Sequence, residues 1–277
     1  MSSKKVRHIL SLSGGKDSAA LAIYMRDRVP DMEYVFHDTD KELDETYEYL
    51  DRLEAILGKQ IHKSNEKRGF DHWLKVYRGM IPSNQMRWCT KNLKLKPFER
   101  WIGDDPVVNY IGLRADENRS GYISAKPNIT TVFPFREDGL VYEDIIRILE
   151  ESGLGLPKYT DWGRTRSGCY FCFYQQKIEW VRLKQKYPKL YEKAKAYEKA
   201  QFDYAKHIEG GGNEFFWCGD ETLEDLEKPK RMAAIEKEWK ERKIRRKRKS
   251  NKLVQILTDV EFEDDPGREE GCLICQL

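Results

Sequence analysis

Short apolar runs alternate with helical repeats along the first part of the chain. The runs predicted to be strands are residues 6–12, 33–37, 60–62 and 107–113. The segments with apolar residues at helical spacing are residues 17–28 and 43–57. Strands that alternate with helices are typical of βαβ units around a parallel sheet. We therefore predict an α/β fold in which a parallel twisted sheet carries helices on both faces.

The sequence changes in character after about residue 155. Residues 164–176 are rich in glycine, cysteine and aromatic residues, and residues 177–206 form a charged segment with a helical apolar stripe. A triple glycine separates that segment from a basic block with helical composition. We predict two domains, with residues 1–155 forming the α/β domain and residues 156–277 forming a mainly helical, basic accessory region.

The composition narrows the class of protein. Charged residues make up 35% of the 277 residues, apolar residues 39% and aromatic residues 12%, which is enough apolar material for a folded core. The net charge is only +3, and six cysteines are too few for a disulfide scaffold. No apolar run reaches the ~18 residues of a membrane span, and the first residues lack the features of a signal peptide. We expect a cytoplasmic protein and exclude secreted disulfide proteins, collagens and membrane proteins.

A glycine loop follows the first predicted strand and reads Ser-Gly-Gly-Lys-Asp-Ser. Glycines let the backbone approach phosphates, a helix start supplies N–H groups, and Lys16 adds a positive charge. The loop is not a Walker A motif, because Asp17 stands where that motif has serine or threonine. An ordinary strand-to-helix turn is the alternative interpretation. The residues predicted to bind a nucleotide here are Ser11, Ser13, Gly14, Gly15, Lys16, Asp17 and Ser18.

The loop resembles the PP-loop of the ATP pyrophosphatase superfamily. Further segments resemble the branch of that superfamily that includes phosphoadenosine-phosphosulfate reductases, and they follow in the same order. These segments are residues 36–46 after the second strand, residues 86–97 with cysteine, lysine and proline, residues 112–119 with two arginines, and residues 166–172 with a CxxC pair. The resemblance covers about residues 5–180 and implies an adenine nucleotide alpha-hydrolase-like fold.

The resemblance also implies a reaction and its site. In that superfamily the loop holds the β- and γ-phosphates of ATP while an oxygen attacks the α-phosphate, and ATP and Mg²⁺ are the implied cofactors. The implied catalytic residues are Lys16, Asp17, Arg114 and Arg119, and the residues implied near the adenosine are Asp38 and Thr39. On the residues alone, a carboxylate at the end of the second strand can hold Mg²⁺ together with the phosphates, but Asp38 and Thr39 can equally form a turn and a helix cap. The two arginines can bind phosphate or be surface residues.

Three cysteines form a candidate set of metal ligands. Thiolates that the fold brings together can hold an iron–sulfur cluster, zinc accepts the same ligands, and buried free thiols are the third interpretation. The related reductases carry two adjacent cysteines where this chain has Trp88 and Cys89, so one family ligand is missing. We predict a [4Fe–4S] cluster on Cys89, Cys169 and Cys172, with Cys275 as the fourth ligand or as a sulfur relay beside an open iron.

The basic block, residues 237–252, contains ten Lys or Arg and two Glu. On a helix such a block favours contact with nucleic-acid phosphates, and a solvated surface is the alternative. The superfamily members that this chain resembles best are the ATP pyrophosphatases of bacterial DNA phosphorothioation (Dnd/Ssp type).

That resemblance implies an enzyme that adenylates a nucleic-acid oxygen, with DNA as the favoured substrate, so that sulfur can replace the oxygen. It also implies a cysteine desulfurase as sulfur donor and other subunits of a modification system as partners. The alternatives are a sulfonucleotide reductase, a tRNA thiolation enzyme and a non-enzymatic nucleic-acid-binding module. Gly14, Gly15 and Lys16 favour ATP over the nucleotide of a reductase, because that nucleotide has no γ-phosphate.

Overall fold

The sheet observed in the structure is parallel, as the sequence predicts. The structure is a computed structural model that describes residues 5–65, 68–118, 120–121, 124–205 and 215–250. The strands in these residues are β1 (Arg7–Leu12), β2 (Glu33–Asp38), β3 (Ile61–Asn65), β4 (Val107–Tyr110) and β5 (Ile129–Val132). They form one sheet with the order β3-β2-β1-β4-β5, and each neighbouring pair is parallel. The predicted α/β fold class is therefore confirmed.

Helices follow the strands and continue to the end of the described chain. They are α1 (Lys16–Met25), α2 (Asp44–Leu57), α3 (Phe70–Val76), α4 (Trp88–Thr90), α5 (Lys96–Ile102), α6 (Pro134–Glu137), α7 (Tyr142–Glu151), α8 (Lys177–Lys186), α9 (Pro188–Ala205), α10 (Leu223–Leu226) and α11 (Pro229–Ser250). A π-helical turn, Lys91–Leu95, joins α4 to α5, and a 3₁₀ helix covers Lys158–Trp162. The helices from α8 onward confirm the helical character predicted for the C-terminal part.

The strand order places β1 between β2 and β4. Ile9 of β1 is in register with Glu33 of β2 and with Asn109 of β4. The chain continues from β1 toward one edge of the sheet, and it returns after β3 to the other side of β1. In open parallel sheets, a reversal of this kind leaves a crevice beyond the carboxyl ends of the two central strands, where ligands bind. The loops that follow β1 and β4 are therefore the first place to look for a site.

Apolar side chains cover the sheet on both faces. On one face, strand residues pack with α1, α2 and α7, and they include Leu10, Leu12, Tyr34 and Phe36. On the other face, Phe98 and Ile102 of α5 pack against strand residues Ile9, Val35, Val107 and Ile129. Successive residues of a strand point to opposite faces, so each strand contributes to both cores.

The described residues divide into two compact units. The first unit lies within residues 5–73 and 88–169 and contains the sheet, and the second lies within residues 74–87, 170–205 and 215–250. The domain boundary that the sequence predicts at residue 155 stays a prediction. Within the part of the chain that the structure describes, no helix combines the length and the apolar character needed to cross a membrane.

The second unit has an aromatic core. Trp180, Tyr191 and Trp217 are fully buried, and the rings of Trp180 and Tyr191 meet edge to face. The carboxylate of Glu198 is buried among them and accepts hydrogen bonds from the backbone N–H of Trp217 (3.0 Å) and of Leu223 (2.7 Å). These bonds offset the cost of burying that carboxylate.

Several elements of the first unit were not predicted, among them the helical stretch from Trp88 to Ile102, α7 and β5. The helical stretch from Trp88 to Ile102 contains four cationic residues, and its π-helical turn interrupts the 3.6-residue repeat, so its apolar periodicity is weak. β5 has four residues and exposes Thr130, which leaves too short a pattern to recognise. The strand predicted at 107–113 ends at Tyr110, where the chain turns out of the sheet.

Candidate functional site

The glycine loop connects β1 to α1 directly, and its shape requires glycine. Gly14 has a φ of +72°, and a Cβ atom at this position would lie 2.4 Å from Cγ2 of Thr46. The loop backbone therefore passes against α2 more closely than any side chain would allow. Gly15 precedes the first turn of α1, and no side chain among the described residues caps this helix start. The geometry suits an anion at the start of α1.

Two serine hydroxyls fix the conformation of the loop. The backbone N–H of Ser13 donates to Oγ of Ser18 (3.2 Å), and the N–H of Gly15 donates to Oγ of Ser13 (3.3 Å). The Ser18 hydroxyl donates in turn to the carbonyl of Gly15 (3.2 Å). Ser11, which was predicted to join this group, lies buried on β1, and its Oγ has no hydrogen-bond partner among the described residues. The loop network is thus formed by Ser13, Gly15 and Ser18.

Two cations converge on one carboxylate beside the loop. Nζ of Lys16 lies 2.8 Å from Oδ2 of Asp17, and Nη1 of Arg114 lies 2.8 Å from Oδ1 of the same carboxylate. Burial opposes ionisation of Asp17, but the charges of Lys16 and Arg114 outweigh burial and lower the pKa of the carboxyl to about 2. Asp17 is therefore ionised at neutral pH, and a second anion would meet the same two cations.

Arg114 is held in this position by its own segment. It follows β4, and its Nε donates to Oδ1 of Asp116 (2.9 Å) while its backbone N–H donates to the carboxylate of Glu117 (3.3 Å). The ring of Tyr142 lies 5.4 Å from Nζ of Lys16 and 5.5 Å from the guanidinium carbon of Arg114. Three residues predicted as catalytic thus lie together, and the fourth, Arg119, lies outside the described residues.

The residues predicted near the adenosine lie at the end of β2, where Asp38 is the last strand residue and Thr39 follows it. Oδ1 of Asp38 accepts hydrogen bonds from the hydroxyl of Tyr47 (2.7 Å) and from the backbone N–H of Asp40 (2.9 Å). The Thr39 hydroxyl donates to Oε1 of Glu42 (3.0 Å). Asp38 therefore shapes the turn after β2, which was the alternative interpretation of this segment, and its role toward a nucleotide or Mg²⁺ stays a prediction.

Cys169 lies beside this turn. Its Sγ is 3.1 Å from Oγ1 of Thr39 and 3.7 Å from Oε1 of Glu42. Burial raises the pKa of the Glu42 carboxyl, against the opposing charges of Lys94 and Arg164. A thiol, a hydroxyl and a buried carboxyl therefore meet at the carboxyl end of β2.

Two of the other predicted cysteine ligands are described, and each is half-buried in a different unit. Cys89 is half-buried in α4, beside Trp88, which is buried and packs against Phe70 with 5.0 Å between ring centroids. Trp88 is thus a core residue at the position where the related reductases have a cysteine. Cys172 is half-buried in the second unit, and Cys275 lies outside the described residues.

A metal centre is not assembled by the described side chains. Among them, no group of three or more His, Cys, Asp or Glu is arranged to hold a metal ion. The [4Fe–4S] cluster on Cys89, Cys169 and Cys172, with Cys275 as fourth ligand, therefore stays a prediction. Zinc at the same cysteines also stays untested.

Sequence reasoning missed several polar residues of the first unit that contact predicted ones. Tyr142 faces Lys16 and Arg114, Glu42 lies beside Cys169, and the Ser167 hydroxyl donates to Oγ of Ser13 (3.3 Å). Ser167 lies in the CxxC segment, directly before Gly168, so the family resemblance already included it. The segment was interpreted only through its cysteines as metal ligands. Nothing in the local sequence distinguishes Tyr142 or Glu42.

The chain matches a known family over most of the first unit. Residues 7–173 match the sequence profile of the phosphoadenosine phosphosulfate reductase domain. The match covers more than half of the chain and includes the glycine loop, Arg114 and the CxxC pair.

Individual proteins that match the chain in sequence are less than 30% identical to it. The chain is 29% identical over 219 residues to an uncharacterized protein of Methanocaldococcus jannaschii. The alignment covers 74% of this chain and 43% of that protein. The chain is 28% identical over 131 residues to the tRNA-specific 2-thiouridylase MnmA of Actinobacillus succinogenes. That alignment covers 42% of this chain and 33% of the enzyme. The chain thus spans less than half the length of these relatives.

A solved structure with a similar fold is the U34-tRNA thiolase NcsA from Methanococcus maripaludis with its [4Fe-4S] cluster. The similarity has a TM-score of 0.40 at 14% identity and covers 80% of each chain. At this distance the likeness carries no functional conclusion.

Proposed function

The chain belongs to the phosphoadenosine phosphosulfate reductase domain family, and from this premise we propose that it is an ATP pyrophosphatase that transfers AMP to a nucleic-acid oxygen. The adenylated oxygen can then be replaced by sulfur. We assign the oxygen to a DNA backbone phosphate, so that the overall reaction is DNA phosphorothioation. The observation that carries the proposal is the convergence of Lys16 and Arg114 on Asp17 beside a glycine loop that opens α1.

The proposed chemistry follows from this charge arrangement. The substrate oxygen attacks the α-phosphorus of ATP, the bond to the bridging oxygen of the β-phosphate breaks, and pyrophosphate leaves. Negative charge grows on the leaving pyrophosphate, and preorganised cations and N–H groups stabilise such charge. Lys16, Arg114 and the start of α1 supply these groups, since a polyphosphate would compete with Asp17 for both cations. Mg²⁺ would reduce the charge of the triphosphate further, and Asp38 is the carboxylate that we propose for it.

The nucleic-acid substrate is supported by two further observations. α11 covers residues 237–250 of the basic block, and the last two residues of the block lie outside the described residues. Cations clustered on a helix bind phosphates by releasing counterions. In addition, a relative that matches in sequence is named as acting on tRNA. We propose a cysteine desulfurase as the sulfur donor and other subunits of a modification system as partners.

The test is a turnover assay with ATP and Mg²⁺ in the presence of duplex DNA, of tRNA, or of neither. We expect pyrophosphate release and AMP transfer that depend on DNA. Lys16→Ala should reduce pyrophosphate release on the order of 10²-fold, because a charged contact to the transition state is lost. Lys5→Ala is the matched control, since Lys5 precedes β1 at the opposite end of the strand, with its side chain 81% exposed.

The same assay separates the alternatives. A folded Lys16→Ala variant that releases pyrophosphate at the parental rate contradicts the assignment. Turnover that requires tRNA instead of DNA identifies a tRNA thiolation enzyme. Sulfite release from adenosine phosphosulfate in the presence of a thiol, without pyrophosphate from ATP, identifies a sulfonucleotide reductase, the activity for which the family is named.

A further inference from the structure

A short segment, Arg164–Cys169, is closed by hydrogen bonds between its own ends and contacts the turn after β2. Arg164, at its start, is fully buried, and its Nη2 donates to the carbonyl oxygens of Gly168 (2.9 Å) and Cys169 (2.7 Å). At the other end, Sγ of Cys169 lies 3.1 Å from Oγ1 of Thr39. The Arg164–Cys169 segment is thus a closed turn whose geometry is set by a buried guanidinium.

Ser167 lies within this turn and against the glycine loop. Its hydroxyl donates to Oγ of Ser13 at 3.3 Å, across 154 residues of sequence. A Cβ atom at Gly15 would lie 2.9 Å from Oγ of Ser167. The space left by the missing side chain of Gly15 is therefore where the Ser167 hydroxyl sits, next to the first turn of α1.

We propose that the Ser167 hydroxyl binds the terminal phosphates of a nucleoside triphosphate, so that the Arg164–Cys169 segment completes the phosphate site formed by the glycine loop. The proposal rests on the proposed function, because it takes ATP as the ligand of that loop. A hydroxyl can rotate, so Ser167 can exchange its bond to Ser13 for a bond to a phosphate oxygen without moving its backbone. A hydrogen bond to a charged acceptor is stronger than the hydroxyl pair that it replaces.

The position of Ser167 also predicts which phosphates it contacts. It lies at the loop that is expected to hold the β- and γ-phosphates, so it should matter for ATP and for pyrophosphate. AMP lacks both of these phosphates, and its binding should not depend on Ser167. This difference separates a phosphate contact from a general effect on the shape of the site.

The experiment measures the affinity of the full chain for ATP with Mg²⁺, for pyrophosphate with Mg²⁺, and for AMP, by calorimetric titration. In Ser167→Ala we expect the affinities for ATP and pyrophosphate to fall by about tenfold or more, the usual effect of removing a hydrogen bond to a charged group. The affinity for AMP and the urea midpoint should match the parent. Ser152→Ala is the matched control, since that hydroxyl donates to the carbonyl of Leu149 at the end of α7.

Each other outcome is decisive. If all three affinities stay within twofold of the parent, Ser167 only closes the loop and the proposal is wrong. If all three fall together, or if the urea midpoint drops, the Arg164–Cys169 segment has a structural role and the proposal is again wrong. In both cases binding of ATP by the parent leaves the proposed function standing. A parent that binds neither ATP nor pyrophosphate overturns the proposed function itself.

Discussion

The two faces of the sheet bury different kinds of side chain. On the face covered by α1, α2 and α7, here called the α1 face, apolar residues continue to the carboxyl ends of the central strands. These residues are Leu10 and Leu12 on β1 and Tyr34 and Phe36 on β2. On the face covered by α5, the α5 face, apolar residues give way to polar ones toward the carboxyl ends. The polar residues are Ser11, His37, Asn109 and Thr131, one on each of β1, β2, β4 and β5.

The polar end of the α5 face is buried without matching protein groups. Oγ of Ser11, both ring nitrogens of His37, both side-chain polar atoms of Asn109 and Oγ1 of Thr131 have no hydrogen-bond partner among the described residues. Burial of such a group costs about 1–3 kcal/mol. The apolar residues of the α1 face therefore stabilise the fold. The buried polar groups of the α5 face lower the stability at the end of the sheet where ligands bind in this kind of fold.

The largest expected effect is on the α1 face. Leu10→Ala should lower the free energy of unfolding by about 2–5 kcal/mol, because Leu10 is fully buried and its removal leaves a cavity. Urea unfolding followed by circular dichroism measures the change. Val6→Ala, just before β1 and 42% exposed, is the control and should change stability by less than about 0.5 kcal/mol. A cost as small for Leu10 as for Val6 would mean that the α1 face is not the main source of stability.

The next effect concerns pH and the α5 face. Burial lowers the pKa of His37 from 6.5 to about 3, with smaller contributions from Lys94 and His62, and the ring of Phe98 packs against it edge to face. Because the folded-state pKa lies below the unfolded one, the stabilising contribution is complete above pH 6.5 and is lost as the pH falls toward 3. At pH 5 the loss amounts to about 2 kcal/mol.

A comparison of unfolding free energies at pH 7 and pH 5 tests this expectation. His37→Phe keeps an aromatic ring beside Phe98 but cannot bind a proton, so the loss between the two pH values should shrink by about 2 kcal/mol relative to the parent. His72→Phe, the same substitution at an exposed histidine, is the matched variant. A parental pH dependence in His37→Phe would show that His37 is not buried in its neutral form.

Sequence patterns predicted the α1 face better than the α5 face. The apolar run at residues 6–12 predicts a short buried strand, and Ser11 within it gives no sign that polar residues of four strands lie on one face of the sheet. The grouping of these polar residues arises from strand order and register, which pair Asn109 with Thr131 of β5 and with Ile9 of β1, two residues before Ser11. Local periodicity carries no information on which strands are neighbours.

The candidate site divides in the same way. The glycine loop is one contiguous motif between a strand and a helix, so its sequence was enough to predict it. The contact of Arg114 with Asp17 joins residues 97 positions apart, and the contact of Ser167 with Ser13 joins residues 154 apart. The first pair was predicted to share a site through a family resemblance, and the second was not predicted. Chemistry that depends on long-range contacts needs the fold.

The smallest expected effect compares two neighbouring threonines of β5. Thr131 has a buried hydroxyl without a partner among the described residues, whereas Thr130 is exposed. Valine has nearly the shape of threonine and suits a strand, so Thr131→Val removes the cost of the buried hydroxyl and should raise the free energy of unfolding by about 1 kcal/mol. Thr130→Val removes a hydroxyl that water already solvates, and its effect should stay within about 0.5 kcal/mol. Urea unfolding of both variants and the parent measures the two changes in the free energy of unfolding. If Thr131→Val destabilises the protein, the hydroxyl is hydrogen-bonded to ordered water. The buried polar groups of the α5 face then lower the stability less than the comparison of the two faces implies.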